Sequence, residues 1–200
     1  MLLYNLMKFL ITGGAGFVGS HIAEALIGSK RGEVVIFDNL SVGKKMNITK
    51  GCKFVRGDIR NPQEIVEASK GVDVIFHNAA FVSIRKSFDM PKEELDNNVY
   101  GTLNVLEAAV KNKVKKFIFA SSMAVYGEPT SLPIKEESRL SPTSPYGLSK
   151  LRGEIFCKIF QDKYGLDTTV LRYFNIFGIR QTLSDYVGVT TIFINQALNK

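Results

Sequence analysis

Long apolar runs are missing from this 200-residue chain. The best of them, such as Phe117 to Ala120 and Val74 to Phe76, have the length of a β-strand, whereas a bilayer-spanning helix needs about 20 residues. A membrane protein is therefore not expected, and a soluble one is. Cysteine is scarce as well. Cys52 and Cys157 are the only two and lack metal-ligand spacing, so neither a metal site nor a disulfide framework is expected, and the pair reads as reduced side chains of a cytoplasmic protein. No Pro-rich or Gly-rich stretch, internal repeat or low-complexity tract divides the chain, which fits one domain. Acidic residues fall short of basic ones, 19 against 26, for a net charge of +7. The lysines are scattered, with small clusters at Lys44-Lys45 and Lys111 to Lys116, and no aromatic-interleaved basic motif accompanies them, so nucleic acid is not the expected partner. A basic surface that suits an anionic small ligand accounts for the charge. Residues 1 to 6 precede a second methionine, Met7. They are too short for a signal peptide and read as an extension or an upstream start.

What is present is alternation. Strand-length apolar segments at Lys8 to Thr12, Glu33 to Phe37, Lys53 to Arg56, Asp73 to His77, Lys116 to Ala120 and Thr168 to Arg172 are rich in Ile, Val and Phe, as buried parallel strands are. Between them, Phe17 to Ile27, Pro62 to Ser69, Glu93 to Lys111 and Tyr146 to Tyr164 have helical periodicity. The order predicts an α/β doubly wound parallel sheet in three α/β/α layers. Gly127 to Pro145 reads as a long functional loop, a flap over the site. Asn175 to Gly188 reads as a second irregular stretch, and Thr190 to Asn199 as a last helix.

Directly after the first strand, Thr12-Gly13-Gly14-Ala15-Gly16-Phe17-Val18-Gly19 opens the first helix. Gly14, Gly16 and Gly19 match G-x-G-x-x-G, and Gly13, Gly16 and Gly19 fit G-x-x-G-x-x-G. Such a turn lets backbone approach a pyrophosphate at the positive end of a helix, which makes this a Rossmann-type dinucleotide site. Asp38 follows the second strand, 19 residues after Gly19. A carboxylate there can accept the adenosine ribose hydroxyls and repel a 2′-phosphate, which favours NAD over NADP.

Tyr146-Gly147-Leu148-Ser149-Lys150 places a phenol and an ammonium four residues apart, on one face of a helix. Lys150 is expected to favour the phenolate, bringing a group with an intrinsic pKa of about 10 towards working pH, where it can serve as base and then acid.

From Met7 to about Lys200 the chain resembles the extended short-chain dehydrogenase/reductase family of NAD-dependent epimerases and dehydratases. The resemblance rests on the glycine turn, Tyr146 to Lys150, Asp58-Ile59-Arg60, His77-Asn78-Ala79-Ala80, Asn97 to Thr102, Ser121 to Gly127 and Leu171 to Asn175, all in the family's order. It implies that NAD lies against Gly13, Gly16, Phe17, Val18 and Gly19, with Asp38 and Asn39 at the ribose and Asp58 and Ile59 at the adenine. Ala79 and Ala80 would let it pass close, and Asn98, Ser121, Tyr173 and Phe174 would border it. It further implies that Lys150 holds the nicotinamide ribose, that Ser122 hydrogen-bonds the reacting sugar hydroxyl, and that Tyr146 exchanges the proton. Asn175 and Ser83 would contact the substrate, Ser83 standing beside Val82, where some epimerases carry lysine. For Ser121, Asn98 and His77 a structural hydrogen-bonding role stands beside a direct one.

Family dehydratases carry an Asp-Glu pair just before Val-Tyr-Gly, whereas this chain has Met123 and Ala124. Neither transfers a proton, so the resemblance implies a nucleotide-sugar epimerase of the UDP-glucose/UDP-galactose 4-type, working through a transient 4-keto sugar. A UDP-glucuronate decarboxylase is the alternative within the family, and a non-catalytic NAD-binding module the alternative outside it. Family members continue into a smaller substrate-gripping lobe, of which residues 175 to 200 would be the start, with the whole chain a single NAD-binding domain. Family helices corresponding to Glu93 to Lys111 and Tyr146 to Tyr164 commonly pair in a homodimer. Phe156 and Phe160 fit such an interface or the core.

Overall fold

The computed structural model describes residues 6–181 and 189–198. Its centre is a sheet of six parallel strands in the order β3-β2-β1-β4-β5-β6, formed by β1 (Met7–Thr12), β2 (Gly32–Asp38), β3 (Lys53–Arg56), β4 (Val74–His77), β5 (Lys116–Ser122) and β6 (Asp167–Tyr173). The predicted doubly wound α/β fold is present. Strand order reverses between β1 and β4, and a crevice at such a switch point is where open α/β sheets take ligands.

Successive strand residues face opposite layers. Leu10, Val35, Ile75 and Phe117 pack with Ile65, Val105, Leu106 and Phe160 in one core, against α2 (Pro62–Ala68), α5 (Gly101–Lys111) and α6 (Pro145–Tyr164). On the other face Phe9, Ile11, Val34 and Ile36 pack with Ala23 of α1 (Phe17–Gly28). Both faces are covered, so the inner strands β1, β2, β4 and β5 are apolar without alternation, whereas the edge strands β3 and β6 carry polar residues. Truncating a fully buried ring such as Phe117 to alanine costs about 3–5 kcal/mol.

Local signals set the helix ends. The Asn61 side chain accepts from Gln63 and Glu64 N–H to start α2, with Pro62 at its first position. Ser144 accepts from Gly147 N–H to start α6, which stops at Gly165 in the left-handed region (φ 69°), where a side chain is disfavoured.

Two elements depart from the sequence reading. Ile84–Asp89 forms a short helix, α3, capped by Ser83; six residues carry too little periodicity to announce it. The helix expected at Glu93 to Lys111 begins earlier, as α4 (Pro91–Glu94), passes through a π-helical turn (Leu95–Tyr100) in which Gly101 N–H reaches Asp96 O, and continues as α5. Phe160 is buried in the core, and Phe156, partly buried, packs against it. Residues 127–145 contain no regular helix or strand beyond Pro145, the first residue of α6. A final helix, α7, spans Val189–Leu198. Of the remaining expectations, the extension up to residue 5, the part of the irregular stretch at 182–188, and Asn199 lie outside the described residues. Among the described residues no helix is long and apolar enough to cross a membrane.

Candidate active site

The glycine turn is packed to the limit. Gly13 has φ 69°, and a Cβ there would stand 2.7 Å from Ala79 N, while one on Gly19 would stand 2.4 Å from Gly13 O. The turn is thereby pressed on one side against the chain leaving β4 and on the other against α1. No side chain caps α1 at Gly16, so its first-turn N–H groups, around Phe17, Val18 and Gly19, are oriented as an anion site needs them. Thr12 Oγ accepts from Ala79 N–H (3.2 Å), which fixes the Ala79-Ala80 segment beside the turn.

Asp38 closes the same turn from β2. It is buried, and its two oxygens accept from Ala15 N–H (3.0 Å) and Leu40 N–H (2.8 Å). A carboxylate has about four acceptor positions, so two remain for ribose hydroxyls. Asn39 donates to Asp58 Oδ2 (3.0 Å), and the Arg60 guanidinium hydrogen-bonds both Asp58 oxygens, holding that carboxyl far below the usual range. Ile59 is buried and receives Asn104 on its carbonyl. The residues expected at the adenine thus form a braced edge.

At the next strand end His77 lies between Thr12 (2.7 Å) and Thr102 (2.9 Å) and stacks on Phe119. Burial, reinforced by Lys150, pushes it down to about 3, so it stays neutral and acts as a strut. Asn98 exchanges two hydrogen bonds with the Phe81 backbone (2.7 and 2.9 Å) and also meets Glu94 and Ser149. Its amide is spent on holding the loop after β4. The Ser83 hydroxyl caps α3 through Lys86 N–H.

Ser122 ends β5 and Tyr146 and Lys150 lie in the first two turns of α6. The Lys150 ammonium donates to Ala120 O (2.9 Å) and lies 5.8 Å from the centre of the Tyr146 ring. Burial pushes Tyr146 up to about 12, a rise that a hydrogen bond from Ser122 opposes and Glu94 reinforces. Burial pulls Lys150 down to about 8, with Glu94 opposing. The expectation that Lys150 brings the phenol towards working pH is therefore corrected: in this structure the phenol is pushed up. Helical spacing gave the proximity, but desolvation of the charged form is the larger effect.

Ser121 donates to Glu154 of α6, which also receives a bidentate Arg172 from β6. Arg172 goes on to Tyr126 and Glu136 O, tying the 127–145 segment to the sheet. Tyr173 is half-buried at the end of β6, and Phe174 and Asn175 follow it, exposed, with Phe174 against Tyr126. The sequence reading missed Ser87, whose hydroxyl accepts from Tyr146 N–H (3.2 Å), together with Glu94, Ser149, Glu154 and Arg172. Ser149 and Arg172 sat inside quoted motifs, but nothing local marked Glu94, because its partner is 55 residues away.

Comparison with known proteins follows the same lines. Residues 9–200 match the profile of the NAD dependent epimerase/dehydratase family. The chain is 44% identical over 191 residues to a provisionally named UDP-glucose 4-epimerase of Methanocaldococcus jannaschii, covering 94% of this chain and 62% of that protein. The solved UDP-N-acetylglucosamine 4-epimerase of Methanobrevibacter ruminantium, in complex with UDP-N-acetylmuramic acid, has a TM-score of 0.91 at 39% identity, over 96% of this chain and 63% of that one. A Thermus thermophilus UDP-glucose 4-epimerase complex with NAD gives 0.91 at 38% identity with the same coverage. The chain spans less than two thirds of the length of each of these three.

Proposed function

Because this chain belongs to the NAD dependent epimerase/dehydratase family, we propose that its site binds NAD and epimerises a nucleotide sugar, a UDP-hexose at C4, with Tyr146 as the proton-transferring group. The observation that carries the proposal is the assembly of Ser122, Tyr146 and Lys150 at the carboxyl ends of the strands, beside a glycine turn that a Cβ would fill. A binding-only module has no use for a buried phenol and ammonium.

Gly13, Gly16 and Gly19 would hold the pyrophosphate, Asp38 the ribose and Lys150 the nicotinamide ribose. Bound NAD supplies a hydride acceptor that gives the hydride back, and a positive charge that favours the phenolate. The rest belongs to the protein. Tyr146, held against solvent by burial, takes the sugar hydroxyl proton while Ser122 hydrogen-bonds the same oxygen. With the hydride returned to the other face of the sugar carbon, Tyr146 would give the proton back to the same oxygen, which inverts that carbon. Met123 and Ala124 form the 3-10 turn immediately after Ser122 and offer no second acid or base, which supports epimerisation over dehydration.

Proton NMR of UDP-galactose and of UDP-glucuronate with the protein and NAD tests this. UDP-glucose is expected from the first. A pentose from the second would replace epimerisation with decarboxylation, and no change in either sugar with NAD bound would leave the cofactor module.

Three further assignments belong to the same proposal. Asn175 and Ser83 contact the sugar nucleotide, and residues 175 onward begin a substrate-binding lobe; the 176–181 segment lies against α1 through Ile179 O to His21 and Arg180 to Glu24. The chain forms a homodimer through α6 and the π turn, where Leu148, Ile155, Ile159 and Leu95 are exposed, the first three recurring on one helical stripe; a monomer mass in sedimentation would sink it. Two free thiols suit the cytoplasm, and enzyme assays of cell fractions decide that location.

A further inference from the structure

Asp38, His77, Glu94 and Lys150 carry the buried carboxyl, imidazole and amino groups of the described residues, and Glu94 and Lys150 are 0% and 4% exposed. His77 stays neutral, and Asp38 is occupied at the far side of the glycine turn. That leaves one carboxyl and one amine buried on abutting elements, α4 and α6, which a hydrogen bond through the residue before Lys150 ties together. Glu94 Oε1 accepts from Ser149 Oγ at 2.6 Å; the single hydroxyl hydrogen of Ser149, the residue before Lys150, is shared between that carboxylate and Tyr146 O, 2.9 Å away. Asn98 donates to the same Glu94 oxygen. Glu94 Oε2 is buried and has no hydrogen-bond partner. A buried carboxylate with a bare oxygen is costly unless a charge answers it: burial raises Glu94, and Ser149, Asn98 and then Lys150 oppose the rise. Lys150, for its part, makes its hydrogen bond to a neutral carbonyl, Ala120 O, and has the same need.

We propose that Glu94 is the buried counter-charge of Lys150 and the positioning residue of the Tyr146–Lys150 turn. Its carboxylate holds that turn through Ser149 and keeps Lys150 an ammonium ion, the form in which it can stabilise a phenolate. The assignment rests on the proton-transfer role given above to Tyr146 and Lys150. Around Lys150 lie the Phe119 and Tyr146 rings and the Ala120 carbonyl, with Glu94 of α4 and the neutral His77 of β4 acting at longer range; Glu154 of α6 is already bound by Arg172 of β6, and Arg152 of α6, exposed, lines the same cleft as Glu94 and Ser149. Arg85 and Lys86 of α3 and Glu107 of α5 are exposed. The long-range effect of Glu94 on both Lys150 and Tyr146 agrees with this arrangement.

The test is a pH titration of protein labelled with 13C at the lysine ε carbons, with Lys150 assigned by the signal lost in Lys150→Met. In wild-type protein Lys150 is expected to be charged at pH 7. In Glu94→Gln, whose amide oxygen still accepts from Ser149, Lys150 is expected to lose its proton at lower pH. In Ser149→Ala, which keeps the charge and removes the link, its titration is expected to stay in place while kcat falls. The alkaline limb of kcat moves with the lysine, so the ratio of wild-type to Glu94→Gln rates grows roughly tenfold from about pH 7 to about pH 9. A role confined to packing lowers kcat without moving that limb. A Lys150 already neutral at pH 7 in wild-type protein, which needs no folded Glu94 variant to observe, overturns the proposal. So does an unchanged lysine titration in Glu94→Gln. The two claims fail separately: wild-type protein that converts no nucleotide sugar sinks the epimerase assignment, whereas the lysine titration needs no turnover.

Discussion

From β1 to β2 the site is made of backbone. Glycines bring main chain against main chain, helix N–H groups face the ligand, and one carboxylate, Asp38, is fixed by two amides. From β4 to β6 it is made of buried side chains: His77 between two threonines, Asn98 on Phe81, Glu94 on Ser149, and Ser121 and Arg172 on Glu154. The first region has geometry that a single methyl group would spoil and little that titrates. The second has ionisable groups whose protonation depends on what surrounds them. A dinucleotide gripped through its phosphates suits a rigid backbone cradle, and proton transfer requires groups whose affinities neighbours can adjust.

The comparison predicts that substitutions divide between kcat and cofactor affinity according to region. Tyr146→Phe keeps the ring and removes the acid-base group, so kcat falls on the order of a thousandfold with NAD affinity retained; turnover near the wild-type rate would remove the phenol from the mechanism. Gly19→Ala forces a Cβ to 2.4 Å from Gly13 O, and the turn must shift, which weakens NAD by roughly a hundredfold in a calorimetric titration. If that variant loses kcat instead of affinity, the division between regions is wrong. Asp38→Ala weakens NAD about tenfold and NADP less, since the ribose contact is lost and the repulsion of a 2′-phosphate with it; equal weakening of both would reject the ribose assignment. The smallest effect concerns stability. His77 titrates near 3 when folded against 6.5 in an ordinary environment, so between these values the unfolded chain binds more protons. Its contribution is present above pH 6.5 and lost as pH falls towards 3. His77→Asn is expected to flatten the slope of unfolding free energy against pH in that window, by at most about one proton; an unaltered slope in denaturant titrations would mean that His77 is not a buried neutral imidazole.

The backbone region was largely legible in the sequence, because its signals are local. Glycine spacing, the strand before it and the acid after the next strand all lie within 32 residues, Lys8 to Asn39. The six strands were legible too, since double-sided burial leaves uninterrupted runs such as Val34 to Phe37. In the side-chain region only the members of quoted motifs could be named. Tyr146 and Lys150 were found, but the direction in which the phenol shifts was not, because it depends on burial that no spacing encodes. Glu94 looked like any surface glutamate at a helix start. The π turn was hidden because Leu95 to Tyr100 has the composition of an ordinary helix, and the short α3 was hidden by its length.

That π turn has a consequence for how the chain tolerates change. It holds one residue more than an α-helical turn of the same rise, and it separates Glu94 from the core-facing residues Val105 and Leu106 of α5. Losing a single residue between Leu95 and Tyr100 would let the segment close into a regular α-helix with Glu94 and α5 both kept in phase, whereas a residue lost from the α-helical turns of α5 before Val105 would turn Glu94 by about 100° around the axis relative to the core. The second change would take the carboxylate away from Ser149 and the lysine it answers, so the π turn is where this helix can give up a residue and the turns after it are where it cannot.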